Sequence, residues 1–371
     1  MRLFKKAAAM LSAAALLTGA MALPAAAETE GNPIKICIIT SSGVDDGNFN
    51  QDCYEGIQTF LETHDDCSVK DIKEADLTQL IPTVEKSVGE YDVFVLPGFN
   101  FSMVGDVVKA NPEKKFIVVD NPVTDSEGNP VSADNLYTMT FKEQEAGFYA
   151  GLAAAFSTTT GKVAVVNGIA FPTNVSYQFG FMSGVNYANA KYGTSVEIVE
   201  LPSYAGTDMA GNNVGGNYVG AFDDMATGKV VGEALIAEGA DVIFVAAGAS
   251  GNGVFTAIKE ADGVYAIGCD IDQYNDGANG SGNIILTSAL KLMHTNVALQ
   301  LEKIYDGSFQ GEDAVLGADT DSTGYVSAEG RQQLSEDALA KMAECAELLK
   351  AGEIVPASCD AYTPDDFPGL K

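Results

Sequence analysis

The chain has 371 residues, with 21 Lys and Arg against 51 Asp and Glu, a formal charge of −30, six cysteines, two histidines and no tryptophan. A polyanion gains nothing by displacing phosphate counterions and is repelled by anionic lipid, so nucleic acid and membrane surfaces are poor partners. Two histidines leave little for a zinc site or a histidine relay, whereas 46% hydrophobic residues suffice for a packed core and the length suits about two domains.

Arg2, Lys5 and Lys6 precede an apolar, alanine-rich run, and Ala25-Ala26-Ala27 supplies small residues before Glu28. Residues 1–27 therefore read as a secretory signal cleaved after Ala27, which removes three basic residues and deepens the negative charge. Leu17-Thr18-Gly19 is followed by Ala20, and the first cysteine is Cys37, so no lipid anchor is encoded as written. No later segment reaches the ~20 apolar residues that cross a bilayer. The expected location is outside the cytoplasm, in a periplasm or at the cell surface, and a self-repelling monomer is expected.

Short Val- and Ile-rich runs read as strands at 34–39, 92–96, 115–119, 136–141, 162–166, 196–201, 241–246, 264–268 and 283–287. They show little polar alternation, which predicts helices on both faces. Amphipathic stretches at 51–63, 103–110, 143–157, 177–191, 227–238, 253–261, 293–305 and 335–351 supply those helices. Alternating strands and helices mean parallel α/β sheets, and a restart near Gly161-Lys162 predicts two similar lobes. Gly/Asn-rich runs at 206–217 and 275–282 read as surface loops. Cys37 and Cys269 fall in strands and read as core residues; Cys345 and Cys359 can pair, because a helix end and a returning tail can meet.

Four segments at strand ends carry polar groups toward the crevice where open α/β sheets bind ligands. The first runs from Val44 to Gly56 and gathers Asp45, Asp46, Asn48, Asn50 and Tyr54; Asp46 or Asn48 can also cap the following helix. The second is Gly248-Ala249-Ser250-Gly251-Asn252-Gly253, whose glycines admit close approach of backbone N–H groups, although it matches neither a dinucleotide nor a phosphate-loop fingerprint. The third holds Asp270; as a calcium loop it fails, because Ser281 stands where a bidentate Glu is needed. The fourth ends on Lys291. Adjacent Asp45 and Asp46 cannot flank a glycosidic bond, and His64 and His294 support no nucleophile–base arrangement. These are binding groups with no reacting group, so no catalytic residue, metal or cofactor is expected.

Asp45-Asp46-Gly47-Asn48-Phe49-Asn50-Gln51, Tyr54-Glu55-Gly56, Thr140 to Gly147, Gly239 to Phe244, Ala246 to Phe255, Ile267 to Gln273 and Leu286-Thr287-Ser288 resemble, in that order, the basic membrane protein family of substrate-binding proteins. The best-understood members bind purine nucleosides for ABC importers. The resemblance implies a type I periplasmic-binding fold, with two Rossmann-like lobes joined by a hinge, a nucleoside clamped between them, and a permease as partner. It puts the base against Asp45, Asn50 and Tyr54, with Phe99, Phe222 or Phe244 as the second ring, and the ribose against the Gly248 backbone, Asp270 and Lys291. Lobe one is expected at 32–140 plus 291–311, and lobe two at 141–290 plus 312–371. The chain departs from many members at Gly47-Asn48, in the 206–217 insertion and in lacking a lipidated cysteine. The other reading is a different small polar ligand, a sugar or signal molecule, serving a transporter or a sensor.

Overall fold

The computed structural model describes residues 32–360. The expected export signal lies outside them. Lys35–Thr40 (β1), Ser68–Lys73 (β2), Val93–Pro97 (β3), Lys115–Val119 (β4) and Leu136–Phe141 (β5) come first. The chain then forms Lys162–Asn167 (β6), Glu197–Ile198 (β7), a hairpin of Gly206–Thr207 (β8) and Asn213–Gly215 (β9), Val242–Ala246 (β10) and Tyr265–Asp270 (β11). A second hairpin, Ala278–Asn279 (β12) with Gly282–Asn283 (β13), leads to Ile285–Lys291 (β14), Glu312–Leu316 (β15) and Thr323–Tyr325 (β16). The helices are Phe49–Leu61 (α1), Leu80–Ser87 (α2), Gly105–Ala110 (α3), Glu143–Ser157 (α4), Pro172–Tyr192 (α5), Met225–Ala237 (α6), Gly251–Lys259 (α7), Met293–Tyr305 (α8) and Glu336–Lys350 (α9).

Two six-stranded sheets result. The first has the order β2-β1-β3-β4-β5-β15 and is parallel throughout; the second, β7-β6-β10-β11-β14-β16, is parallel except for β16. The strands β3 and β10 at the sheet centres are buried from end to end, as continuous apolar runs such as Val93-Phe94-Val95-Leu96 require. Both sheets place their first strand second in the order, so each reverses direction beside it, between β1 and β3 and between β6 and β10. Such reversals leave a crevice at the strands' carboxyl ends.

Helix packing follows from glycine placement. On α4, Gly147 and Gly151 face Gly180 and Gly184 of α5; a Cβ on Gly151 would stand 2.2 Å from the Phe181 carbonyl oxygen. Likewise Gly56 of α1 lies under α8, where a Cβ would meet the His294 carbonyl oxygen at 2.4 Å.

The chain passes between the sheets three times, at Lys142, at Leu292 and through residues 317–322. These passes are stitched together: Lys142 N–H donates to Leu316 O, Leu292 N–H to Ser322 O, and Glu145 accepts from Ala318 N–H at 2.6 Å and the Thr323 hydroxyl at 2.8 Å. The strand 312–316 pairs with β5 and so completes the first sheet, whereas the expected second return to lobe two began at 312. Its Glu312-Asp313 start hid it as a strand. All six cysteines are free thiols. Cys345 sits under the Tyr192 hydroxyl and Cys359 beside Ser176, so that pairing is not made. Among the described residues no helix is long and apolar enough to cross a membrane.

Candidate functional site

A cavity enclosing about 790 Å³ of empty space, its mouth included, opens where the two crevices face each other. Lobe one contributes Ser41 and Ser42 after β1, Pro97 at the end of β3 and Gly98 to Asn100 after it, Asp120 after β4, and Asp46, Phe49 and Asn50 at the start of α1. Opposite stand Phe171, Thr173, Asn174 and Tyr177 around the start of α5, with Phe222, Gly248, Asp270 and Lys291.

One end of the cavity is aromatic. The Phe99 ring lies 4.9 Å from Phe171 at 30°, and Phe171 lies 6.0 Å from Phe222. Phe99 comes from lobe one and the other two from lobe two, so the slot spans the lobes. Phe222 packs flat on Gly168, where an added Cβ would stand 2.3 Å from its ring.

The other end is charged. Lys291, 2% exposed, directs its Nζ at Asp120 Oδ1 and Oδ2 (2.9 and 2.8 Å), with Asp270 Oδ1 and Glu143 Oε1 each 3.7 Å away. It also lies 4.8 Å from the Phe49 ring centre. Burial works against the lysine charge, but Asp120, Asp270 and Glu143 outweigh it and hold its pKa above the ordinary lysine value. Burial likewise raises the Asp120 carboxyl and pushes Glu143 up to about 8, against the pull of Lys291. The Tyr177 hydroxyl donates to Asp270 Oδ1 at 2.7 Å. Asp120 and Asp270 both end their strands with positive φ, 76° and 66°, a conformation costly outside glycine that turns each carboxylate off the sheet into the crevice.

Of the residues singled out from sequence, the cavity brings together Asn50, Phe99, Phe222, Gly248, Asp270 and Lys291. It does not bring Asp45, Tyr54 or Phe244. Asp45 is exposed, while its neighbour Asp46 turns inward and accepts the backbone N–H groups of Asn48, Asn50 and Gln51, capping α1. Tyr54 is half-buried against the lobe-one core. Phe244 is fully buried in the lobe-two core, its ring 5.9 Å from that of Phe181 and nearly parallel to it. Phe49 lies in the Val44–Gly56 segment that sequence reasoning turned toward the crevice; Asp120, Phe171 and Tyr177 were missed. Asp120 had a signal, an acidic residue closing an apolar strand just as Asp270 does; Tyr177 lay inside what reads as a plain amphipathic helix. The 206–217 insertion forms the β8/β9 hairpin against α5, with Gln178 donating to Val214 O, and none of its residues lines the cavity.

The cavity offers stacking faces at one end and carboxylate acceptors beside an ammonium at the other. Among the described residues no group of His, Cys, Asp and Glu is arranged to hold a metal ion.

Solved structures share this architecture. An ABC transporter solute-binding protein from Aeropyrum pernix K1 superposes with a TM-score of 0.74 over 88% of this chain and 94% of its own, at 23% identity. A carbohydrate transporter solute-binding protein from Agrobacterium radiobacter, in complex with D-arabinose, gives 0.55 over 84% and 98%, at 18% identity. Identities of that size show the fold, and it is the type I periplasmic-binding fold expected above. Among relatives by sequence, the CD4+ T-cell-stimulating antigen of Listeria monocytogenes is 28% identical over 85% of this chain and 86% of its own. The ABC transporter nucleoside-binding protein BmpA of Lactococcus lactis is 28% identical over 75% and 77%, and basic membrane protein A1 of Borrelia garinii 31% over 69% and 68%. The Bmp family model, described as ABC transporter substrate-binding protein PnrA-like, matches residues 34–205 and 204–355. With nearly every described residue inside that match, the chain belongs to the Bmp family of extracytoplasmic ABC transporter substrate-binding proteins.

Proposed function

We propose that the protein binds a purine nucleoside between its lobes and delivers it to the permease of an ABC importer. The observation that carries this reading is the two-ended cavity. A flat base suits the slot of Phe99, Phe171 and Phe222, where stacking contributes roughly 1–3 kcal/mol per base. Ribose hydroxyls suit Asp270 as acceptor and Lys291 as donor, with Asn50 and the Gly248 backbone at the edge. A ligand that touches both lobes favours the closed form, because the open form satisfies only one half of it. The name of the Lactococcus lactis relative points the same way, and an export signal at residues 1–27 suits delivery from outside the cytoplasm. Calorimetric titration with adenosine, guanosine, inosine and cytidine, with D-arabinose alongside, tests the reading. Heat from a purine nucleoside and none from the sugar is expected; heat from cytidine or the sugar alone, or from none of them with folded protein, refutes it.

A further inference from the structure

Glu143 opens α4, directly after the first pass between the lobes, and does not line the cavity. It is 3% exposed, and its Oε1 has no hydrogen-bond partner among the described residues. The Lys291 ammonium stands 3.7 Å from it, too far for a hydrogen bond, because two of its hydrogens are directed at Asp120. Around the Glu143 carboxyl lie Asp120 from the end of β4, Asp270 from β11, Lys291 from β14, Tyr177 from α5 and Cys359 from the tail. Burial keeps the Tyr177 phenol and the Cys359 thiol neutral across the physiological range. The charge count of this cluster is therefore one ammonium against three carboxyls. With all three ionised, the cluster would carry two uncompensated negative charges out of reach of water, which proteins avoid by taking up a proton. Asp120 receives two charge-assisted hydrogen bonds, and Asp270 receives one from Tyr177 and a weaker one from the Cys269 thiol. Glu143 receives none at Oε1, so the proton belongs there.

We propose that Glu143 is a positioning residue that holds a proton behind Lys291 at neutral pH, leaving the ammonium committed to Asp120 and Asp270 free to accept from the ligand. Ionised Glu143 would compete with Asp120 for the lysine and pull it back from the cavity. A ligand that fills the cavity takes water away from Asp120 and Asp270 and makes ionisation of Glu143 costlier still. The ligand-bound protein therefore keeps the proton to higher pH than the free protein. The sign follows: affinity is constant below about pH 8, where the free protein is already protonated, and falls above it, by at most tenfold per pH unit.

This coupling rests on the nucleoside reading; the bound proton does not. The experiment has two arms. In the first, adenosine is titrated calorimetrically from about pH 6 to about pH 10 into the full mature chain and its Glu143→Gln variant. A wild-type Kd that rises several-fold above pH 8, with a Kd for the variant that no longer changes with pH, is expected. A flat wild-type profile, or a variant that keeps the wild-type profile, overturns the proposal. The second arm needs no ligand: the wild-type minus variant infrared difference spectrum at pH 7, with melting curves to establish that both are folded. A protonated-carboxyl carbonyl band in the wild type supports the proposal even if no nucleoside binds; its absence overturns the proposal whatever binds.

Discussion

Replacing Lys291 by Met removes the cation that faces Asp120, Asp270 and Glu143 while keeping an unbranched side chain of similar length in the same buried slot. At an effective dielectric constant near 20, a unit charge pair is worth about 6 kcal/mol at the 2.8 Å of Lys291–Asp120 and about 4.5 kcal/mol at the 3.7 Å of Lys291–Asp270. Desolvation of the ions takes back much of that. What the substitution exposes is the carboxylates left without a partner, and breaking a buried pair in this way costs about 3–5 kcal/mol. Urea unfolding at pH 7 measures it. The same comparison at pH 5 tests the cause. Without the lysine, the folded-state carboxyls sit far above their unfolded pKa values, so the deficit grows as pH rises and shrinks as they take up protons in acid. Adding Asp120→Asn to the variant should recover part of the loss at pH 7. A deficit under about 1 kcal/mol, or one equal at both pH values, would refute the reasoning.

Three further outcomes follow from the geometry. Phe222→Ala removes one face of the aromatic slot and should weaken nucleoside binding roughly five- to a hundred-fold, with little change in melting temperature; unchanged affinity removes Phe222 from the site. Gly56→Ala drives a methyl group to within 2.4 Å of a backbone oxygen that cannot swing aside, and thermal melting should show a loss of about 1–3 kcal/mol. Asp52 accepts from His294 N–H at 2.9 Å and lies 2.7 Å from its ring Nδ1, which raises the histidine pKa above its usual 6.5. The stabilisation from this pair is fully present below that unfolded value and is lost as pH rises through the folded one. Proton NMR should find His294 titrating above 6.5 in the wild type and lower in Asp52→Asn; equal values would refute the pairing.

Apart from the run at 196–201, which forms only the short edge strand Glu197–Ile198, the strands that sequence reasoning found are largely buried on both faces, where the side-chain pattern becomes an apolar run. Ser68–Lys73 escaped because it is an edge strand: Val69 and Ile72 are half-buried, and Ser68, Lys70, Asp71 and Lys73 are exposed. Glu312–Leu316 escaped for the same reason at the opposite edge, and with it the true course of the last pass between the lobes. At the site, residues at strand ends were legible, since polar groups closing apolar runs stand out. The choice between Asp45 and Asp46 was not, because it turns on which carboxylate the helix start recruits as its cap. Phe99 and Phe244 differ only in position, one just past a strand and one inside it, and that decides between cleft and core.

The pairing of β5 with β15 joins residues such as Thr138 and Asp313, 175 positions apart in the chain. In time, this means that the first half of the protein to leave the ribosome cannot finish its own sheet. Its outer strand arrives only after most of the second lobe has been synthesised, and β16 and α9 of that lobe come later still. Long-range pairings of this kind close slowly, because the loop entropy must be met before any contact rewards it. For a polypeptide destined to work beyond a membrane, the same delay keeps the nascent chain open during the interval in which it must be threaded across.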